Sequence, residues 1–226
     1  MTMFKRGMIF VTFFLSCLII ALLVAALGTK YWIVARARRI SNPEESDGRI
    51  NFGLFEGKKE LNVAYGWRTY EIKMLELLHT DREFLIYGVW VATIGSLCAG
   101  VLFAALAAIF AVINTATTPS GSLTGVPGLY LWNFFTLFFN LAAVSLWITQ
   151  FYQKLQYNVM SMEDQRNMWS STDMAKFGYS FWFVVGATIA SFVSLVIIYI
   201  GTNEGRQKKT PQPMIEEKSN GAIMLY

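Results

Sequence analysis

Phe84 to Gln153 reads FLIYGVWVATIGSLCAGVLFAALAAIFAVINTATTPSGSLTGVPGLYLWNFFTLFFNLAAVSLWITQFYQ, 70 residues without Asp, Glu, Lys or Arg. A run of this length is typical of buried or lipid-embedded chain, because soluble domains average about 25% charged residues. Its middle, Asn114–Gly128, is rich in Thr, Ser, Gly and Pro, which favour turns. The flanking apolar blocks, 84–113 and 129–152, each exceed the roughly 20 residues that cross a bilayer core of about 30 Å. The stretch therefore predicts two transmembrane helices joined by a short, uncharged connector.

Two further apolar segments predict two more spans. Gly7–Thr29 is uncharged over 23 residues, which as a helix extends about 34 Å at about 1.5 Å per residue. It predicts an uncleaved signal-anchor span at about 8–28, and the fourth span is predicted at about 178–200. The fold class predicted is an all-α membrane protein, with residues 1–201 forming a four-transmembrane-helix bundle and 202–226 a polar, disordered tail.

The loop 29–83 shows period-two alternation of apolar residues on both sides of Glu56–Lys59. Such alternation around a Gly-containing turn predicts a small β-hairpin. A hairpin alone is marginally stable in water, so we expect it to pack on the membrane domain or to pair with a third segment. The alternating residues are Ile50, Phe52 and Leu54, followed by Leu61, Val63, Tyr65 and Trp67.

Small residues recur every four positions in three of the spans. In lipid, small residues allow helix backbones to approach closely, so these positions are predicted to pack helices together. The same faces would equally serve a homo-oligomer. The residues are Ser96, Gly100, Ala104 and Ala108 in the second span, Gly186, Ala190 and Ser194 in the fourth, and Cys17, Ala21 and Ala25 in the first.

Asn140 lies near the middle of the third span. A buried amide seeks a partner in hydrocarbon, so Asn140 is predicted to face the bundle and bind another helix. A substrate-transport site is the alternative for this residue. The spans contain no ionisable Asp, Glu, Lys, Arg or His, which transport and proton-relay sites commonly use, and this disfavours a transporter.

Tyr and Trp residues cluster at the predicted ends of the spans. Such residues concentrate at both membrane–water interfaces, and these are therefore predicted to form an aromatic belt. They are Tyr31, Trp32, Tyr87, Trp90, Tyr152, Tyr179 and Trp182.

The composition argues against several other classes of function. The single histidine, His79, has no His or Cys partner at metal-ligand spacing, and the chain carries no nucleotide-binding or zinc motif. The net charge of +4 is spread along the sequence, which argues against a nucleic-acid-binding patch. We expect no enzymatic activity and no cofactor, with the lipid bilayer as the principal environment.

Charge counting does not settle the orientation. With four spans, six of the 19 basic residues lie on the side of the termini and thirteen on the side of the two large loops. The positive-inside rule alone would therefore put the loops in the cytoplasm, although the rule weakens for loops near 60 residues.

Five local patterns occur in an order that resembles the clarin family and, more distantly, the claudin and peripheral-myelin-protein superfamily. The better-known clarins carry cysteines and a glycosylation sequon in the first loop, and this chain has neither. The patterns are Ala26–Thr29 with Trp32-Ile33, Gly53-Leu54-Phe55-Glu56-Gly57, Gly125–Asn133, Tyr179–Trp182, and the C-terminal Met224-Leu225-Tyr226.

The resemblance implies a non-catalytic plasma-membrane protein with cytoplasmic termini and an extracellular first loop. It implies a role in organising membranes, through the cytoskeleton or trafficking machinery, in sensory cells that serve sound or light perception. Met224, Leu225 and Tyr226 would then form a C-terminal ligand for PDZ scaffold proteins, which capture a free carboxylate with an apolar last residue. Gly53, Leu54, Phe55 and Gly57 would form the motif of the first loop that the resemblance implies.

An auxiliary channel subunit or a claudin-like barrier component is the alternative function. A barrier would need loop charges directed at a pore, and claudin-type loops rely on a disulfide that is missing here. The candidate charges are Arg36, Arg38, Arg39 and Lys58.

Overall fold

The computed structural model describes residues 3–62, 66–117 and 121–207. Within these ranges four long helices are apolar enough to cross a membrane. The helices are α1 (Met3–Gly28), α3 (Tyr87–Ala116), α4 (Val126–Gln150) and α6 (Tyr179–Gln207). Helix α1 packs against α3 and α6, and α4 packs against α3 and α6, which closes a four-helix bundle.

Three helix ends differ from the ends of the predicted spans. Helix α3 begins at Tyr87 rather than at Phe84, because Phe84 is buried outside the helix with its ring 5.5 Å from that of Phe52. Helix α4 continues into a π-helical turn, Phe151–Leu155. Helix α6 extends to Gln207, beyond the predicted end of its span.

The described loop residues form a six-stranded antiparallel sheet in the order β4-β3-β2-β1-β5, with β6 also paired to β1. Two short helices, α2 (Met74–Thr80) and α5 (Met162–Arg166), accompany it. The strands are β1 (Ile33–Arg39), β2 (Gly48–Phe52), β3 (Glu56–Asn62), β4 (Trp67–Lys73), β5 (Trp169–Ser170) and β6 (Ala175–Phe177).

The predicted hairpin was too small, and its turn was misplaced. Phe52 pairs with Gly57, and the Gly53 N–H donates to the Glu56 carbonyl over 2.8 Å, so the chain reverses before Glu56. Glu56–Lys59, predicted as the turn, lies within β3. Apolar residues alternate through both strands, so this alternation does not show at which residue the chain turns from one strand into the next. Of the predicted second strand, Val63 and Tyr65 lie outside the described residues.

Both large loops contribute to one sheet, which defines the two ends of the bundle. Strands β1 to β4 precede α3, whereas β5 and β6 precede α6, and both sets pair through β1. We call this the sheet end. The start of α1 and the last turns of α6 lie at the opposite end, the termini end, where a Cβ added to Gly201 would lie 3.0 Å from the Met8 Cβ.

Candidate functional site

The turn after β2 fits directly against the membrane bundle. Leu54 is fully buried, and its carbonyl accepts a hydrogen bond of 3.0 Å from the Trp90 indole of α3. A Cβ added to Gly53 would lie 2.2 Å from the Thr29 carbonyl oxygen, so only glycine allows this approach. Gly57 is similarly confined, because its Cβ would lie 2.5 Å from the Phe52 Cβ. Phe55, in contrast, exposes its ring.

Trp32 lies at the centre of the contact between the sheet and the bundle. We call this contact the sheet–bundle joint, and it includes Thr29, Trp32, Gly53, Leu54 and Trp90. Its indole N–H donates to the Ala26 carbonyl over 2.7 Å, satisfying an acceptor in the last turn of α1. Its backbone N–H donates to the Phe52 carbonyl, and its ring packs edge-on against that of Trp147 with the ring centroids 4.8 Å apart.

The predicted aromatic belt was wrong for Trp32 and Trp90, because both side chains are buried in the protein. Tyr87, Tyr152 and Trp182, in contrast, are exposed, as the prediction requires.

The second loop completes the joint through Gly178, which sequence reasoning missed, and through Ser180, which was quoted only as part of the Tyr179–Trp182 pattern. The Gly178 N–H donates to the Trp32 carbonyl over 2.9 Å, and the Ser180 N–H donates to the Tyr31 backbone carbonyl over 3.1 Å. The hydroxyls of Thr29 and Ser180 lie 2.6 Å apart. A Cβ on Gly178 would lie 2.0 Å from the Tyr31 carbonyl. The available signal was a lone glycine immediately before a span.

Two ion pairs strengthen the outer parts of the joint. Lys30 contacts Glu56 at 2.7 Å. Hydrogen bonding to Lys30 lowers the pKa of Glu56, and hydrogen bonding to Glu56 raises the pKa of Lys30. The ion pair therefore adds to the free energy of unfolding at pH values above the ordinary pKa of Glu, and this contribution is lost as the pH falls through the lowered pKa of Glu56. The contribution is small because both side chains are exposed. Lys59 and Asp164, 2.5 Å apart and largely buried, link β3 to α5.

A buried polar seam joins α4 to α6 within the membrane. Asn140 is fully buried, and its amide donates to the Ser191 hydroxyl over 3.1 Å. Further toward the termini end, the Ser194 hydroxyl donates to the Asn133 amide oxygen over 2.8 Å. Asn140 was singled out in the sequence as an interhelical residue and Ser194 as a small helix-packing residue, whereas Asn133 was not predicted to join helices. The 3.6-residue period, which places Asn133 and Asn140 on one face, was the signal that could have found it.

The small residues of the spans have different surroundings. Gly100, Ala104 and Ala190 are buried, whereas Ser96 and Gly186 are half-buried. Within the bundle, the prediction for the first span was wrong for Cys17 and Ala21, which are exposed, whereas Ala25 is half-buried and α1 buries Leu23. The Leu23 side chain lies 3.3 Å from a Cβ placed on Gly100. At this contact α3 supplies the small residue and α1 the large one.

We expect Ser194→Ala to lower the stability of the bundle by about 0.6 kcal/mol, since interhelical hydrogen bonds in membranes average that value. The substitution leaves the Asn133 oxygen without its donor. Thermal unfolding in detergent measures the change. Ser145→Ala is the control, because Ser145 lies exposed on α4. A larger loss from Ser145→Ala would contradict a specific role for the seam.

The described residues contain no cluster of His, Cys, Asp or Glu arranged to hold a metal ion. Among the basic residues considered for a barrier, Arg39 lies over the Trp169 ring and Lys58 pairs with Glu60, which leaves Arg36 and Arg38 exposed. Met224, Leu225 and Tyr226 lie outside the described residues.

The chain matches known proteins along most of its length. The sequence model of the Clarin-2-like family matches residues 4–198. Human Clarin-3 is 24% identical over 217 residues, which cover 92% of this chain and 92% of the relative. Mouse Clarin-3 is 24% identical over 230 residues, which cover 98% of each. A multi-pass bundle of this length, matched by the family over far more than half its residues, belongs to the clarin family.

Proposed function

We propose that this chain is a non-catalytic organiser of the plasma membrane, with its sheet end outside the cell and its termini end in the cytoplasm. The observation that carries the proposal is the sheet–bundle joint. The Trp32 backbone N–H donates to the Phe52 carbonyl, and the Trp32 carbonyl accepts from the Gly178 N–H, so strands from both loops are held on the bundle. The sheet therefore offers a fixed surface at one end, with the exposed Phe55 ring as a candidate contact for a partner.

The termini end would supply the second half of the function. The tail ending in Met224-Leu225-Tyr226 would bind PDZ scaffold proteins and so connect the membrane to cytoskeletal or trafficking machinery. Family membership supports sensory cells as the place of action. The absence of Asp, Glu, Lys, Arg and His from the four predicted spans supports an organising role over ion or solute transport.

Orientation can be tested independently with two epitope tags. One tag is inserted after Glu44, an exposed residue between β1 and β2, and the other after Asn220. We expect antibody to label only the first tag on intact cells and both tags after permeabilisation. Labelling of the second tag alone would reverse the orientation, place the tail outside the cell and remove the basis for a PDZ partner.

Peptides of the last ten or so residues test the scaffold half. A strand added to a PDZ domain directs alternate side chains into its pockets, so Met224→Ala and Tyr226→Ala should each abolish capture of PDZ proteins. Leu225→Ala is the matched control, because the penultimate side chain points away from the binding groove. Equal loss with Leu225→Ala, or capture that survives Tyr226→Ala, would contradict a PDZ-type ligand.

A further inference from the structure

A cavity of about 530 Å³ opens beside the first strand at the sheet end. Val34, Arg36, Asp173, Lys176 and Phe177 line it. Val34 pairs with Lys176 across β1 and β6, so paired strands from both loops frame the cavity. Its volume falls within the roughly 300–1,000 Å³ that small-molecule sites occupy.

The three charges of this cavity have no partners among the described residues. The ion pairs of that part of the chain involve Lys30, Lys58, Lys59 and Lys73 with their carboxylates, and none includes Arg36, Asp173 or Lys176. The Asp173 backbone is held by a hydrogen bond of 3.2 Å to the Gln156 carbonyl. Two cations and one carboxylate thus line the same cavity, and none of the ion pairs of this region joins them.

The residues that line the cavity are close in sequence to the ends of two of the spans. Lys176 lies just before α6, which begins at Tyr179, and Val34 follows shortly after the end of α1 at Gly28. Tyr31 and Tyr179 stack at 4.8 Å, and both remain exposed. Exposed tyrosines beside the ends of two spans are typical of the membrane–water interface.

We propose that this cavity binds the headgroup of a zwitterionic phospholipid from the surrounding bilayer. Arg36 and Lys176 bind the phosphate, because a guanidinium and an ammonium both form charge-assisted hydrogen bonds to phosphate oxygens. Asp173 pairs with the headgroup cation. A purely anionic headgroup would leave this carboxylate facing like charge, so the proposal is specific to a headgroup that carries both signs. The proposal requires only membrane insertion and does not depend on the orientation or on a scaffold role.

The test uses the purified full-length protein, relipidated with equal amounts of phosphatidylcholine and phosphatidylglycerol that share the same acyl chains. Mass spectrometry then quantifies the lipids retained after detergent washing. We expect preferential retention of phosphatidylcholine by the wild type. The Arg36→Gln/Lys176→Gln double variant should retain about tenfold less of it, the loss expected for about 1.4 kcal/mol of phosphate binding. The two single variants are measured beside it and should each show part of this loss.

Two further variants distinguish the site from general surface charge. Asp173→Asn should retain lipid but lose the preference for phosphatidylcholine over phosphatidylglycerol. Arg38→Gln is the matched control, because Arg38 lies exposed further along β1 and does not line the cavity. Unchanged retention in the double variant and both single variants, or an equal loss in Arg38→Gln, would overturn the site. Saturable binding of soluble glycerophosphocholine without lipid retention would overturn the bilayer as the source.

Discussion

Gly53→Ala is expected to lower the midpoint of thermal unfolding in detergent by about 6–12 °C. The added methyl would lie 2.2 Å from the Thr29 carbonyl oxygen and 3.1 Å from the Lys30 Cα, and both are backbone atoms. Neither can rotate away, so the turn must withdraw from the bundle and weaken the Leu54–Trp90 hydrogen bond. Overpacking of this kind costs about 3 kcal/mol, and each kcal/mol lowers the midpoint by about 2–4 °C in a protein of this size.

Gly95→Ala is the matched control for this prediction. Gly95 lies in the interior of α3, and an added Cβ would meet nothing within 4 Å. Alanine favours a helix over glycine by up to about 1 kcal/mol, so the midpoint should stay constant or rise. If Gly53→Ala unfolded at the wild-type temperature, the close approach of the turn to Thr29, just after α1, would be refuted.

Trp32→Ala is expected to destabilise the protein by about 3–5 kcal/mol, the usual cost of truncating a buried aromatic side chain. The substitution empties a fully buried site beside Trp147 and removes the indole donor to the Ala26 carbonyl. Trp32→Phe keeps most of the ring but loses the N–H, and should therefore cost about 1–3 kcal/mol. Thermal unfolding and the surface-expressed fraction in cells measure both variants.

Trp182→Ala provides the comparison for the buried tryptophan. Trp182 is 58% exposed on α6, so its removal should change stability by less than about 0.5 kcal/mol. Equal losses from the two substitutions would show that Trp32 is not the centre of the joint. A Trp32→Phe variant as unstable as Trp32→Ala would assign the whole effect to the indole hydrogen bond.

The spans could be predicted from the sequence because membrane insertion depends on local composition. A window of about 20 apolar residues carries the information by itself, and all four windows coincide with helices. Asn140 was placed correctly in the bundle interior for a similar reason, since a lone amide in hydrocarbon has few other destinations.

The sheet and its joint could be predicted only in part, because they depend on contacts between distant residues. Strands β5 and β6 contain two and three residues, too few for any periodic pattern. Trp32 follows the first span and Trp90 lies near the start of the second, so both resembled interfacial tryptophans. Each indole N–H, however, donates a hydrogen bond to a backbone carbonyl within the protein. Hydropathy does not distinguish a tryptophan that faces lipid headgroups from one that closes a joint.

The pairing of β1 with both loops also constrains how the protein is made. Its register with β2 is available once the first loop has left the ribosome, but its register with β6 requires residues Ala175–Phe177, which are synthesised only just before the last helix. One edge of β1 therefore stays open throughout synthesis of α3 and α4. Open strand edges recruit other chains. The emergence of Ala175–Phe177, just before the last helix, is consequently the step that closes this edge of β1.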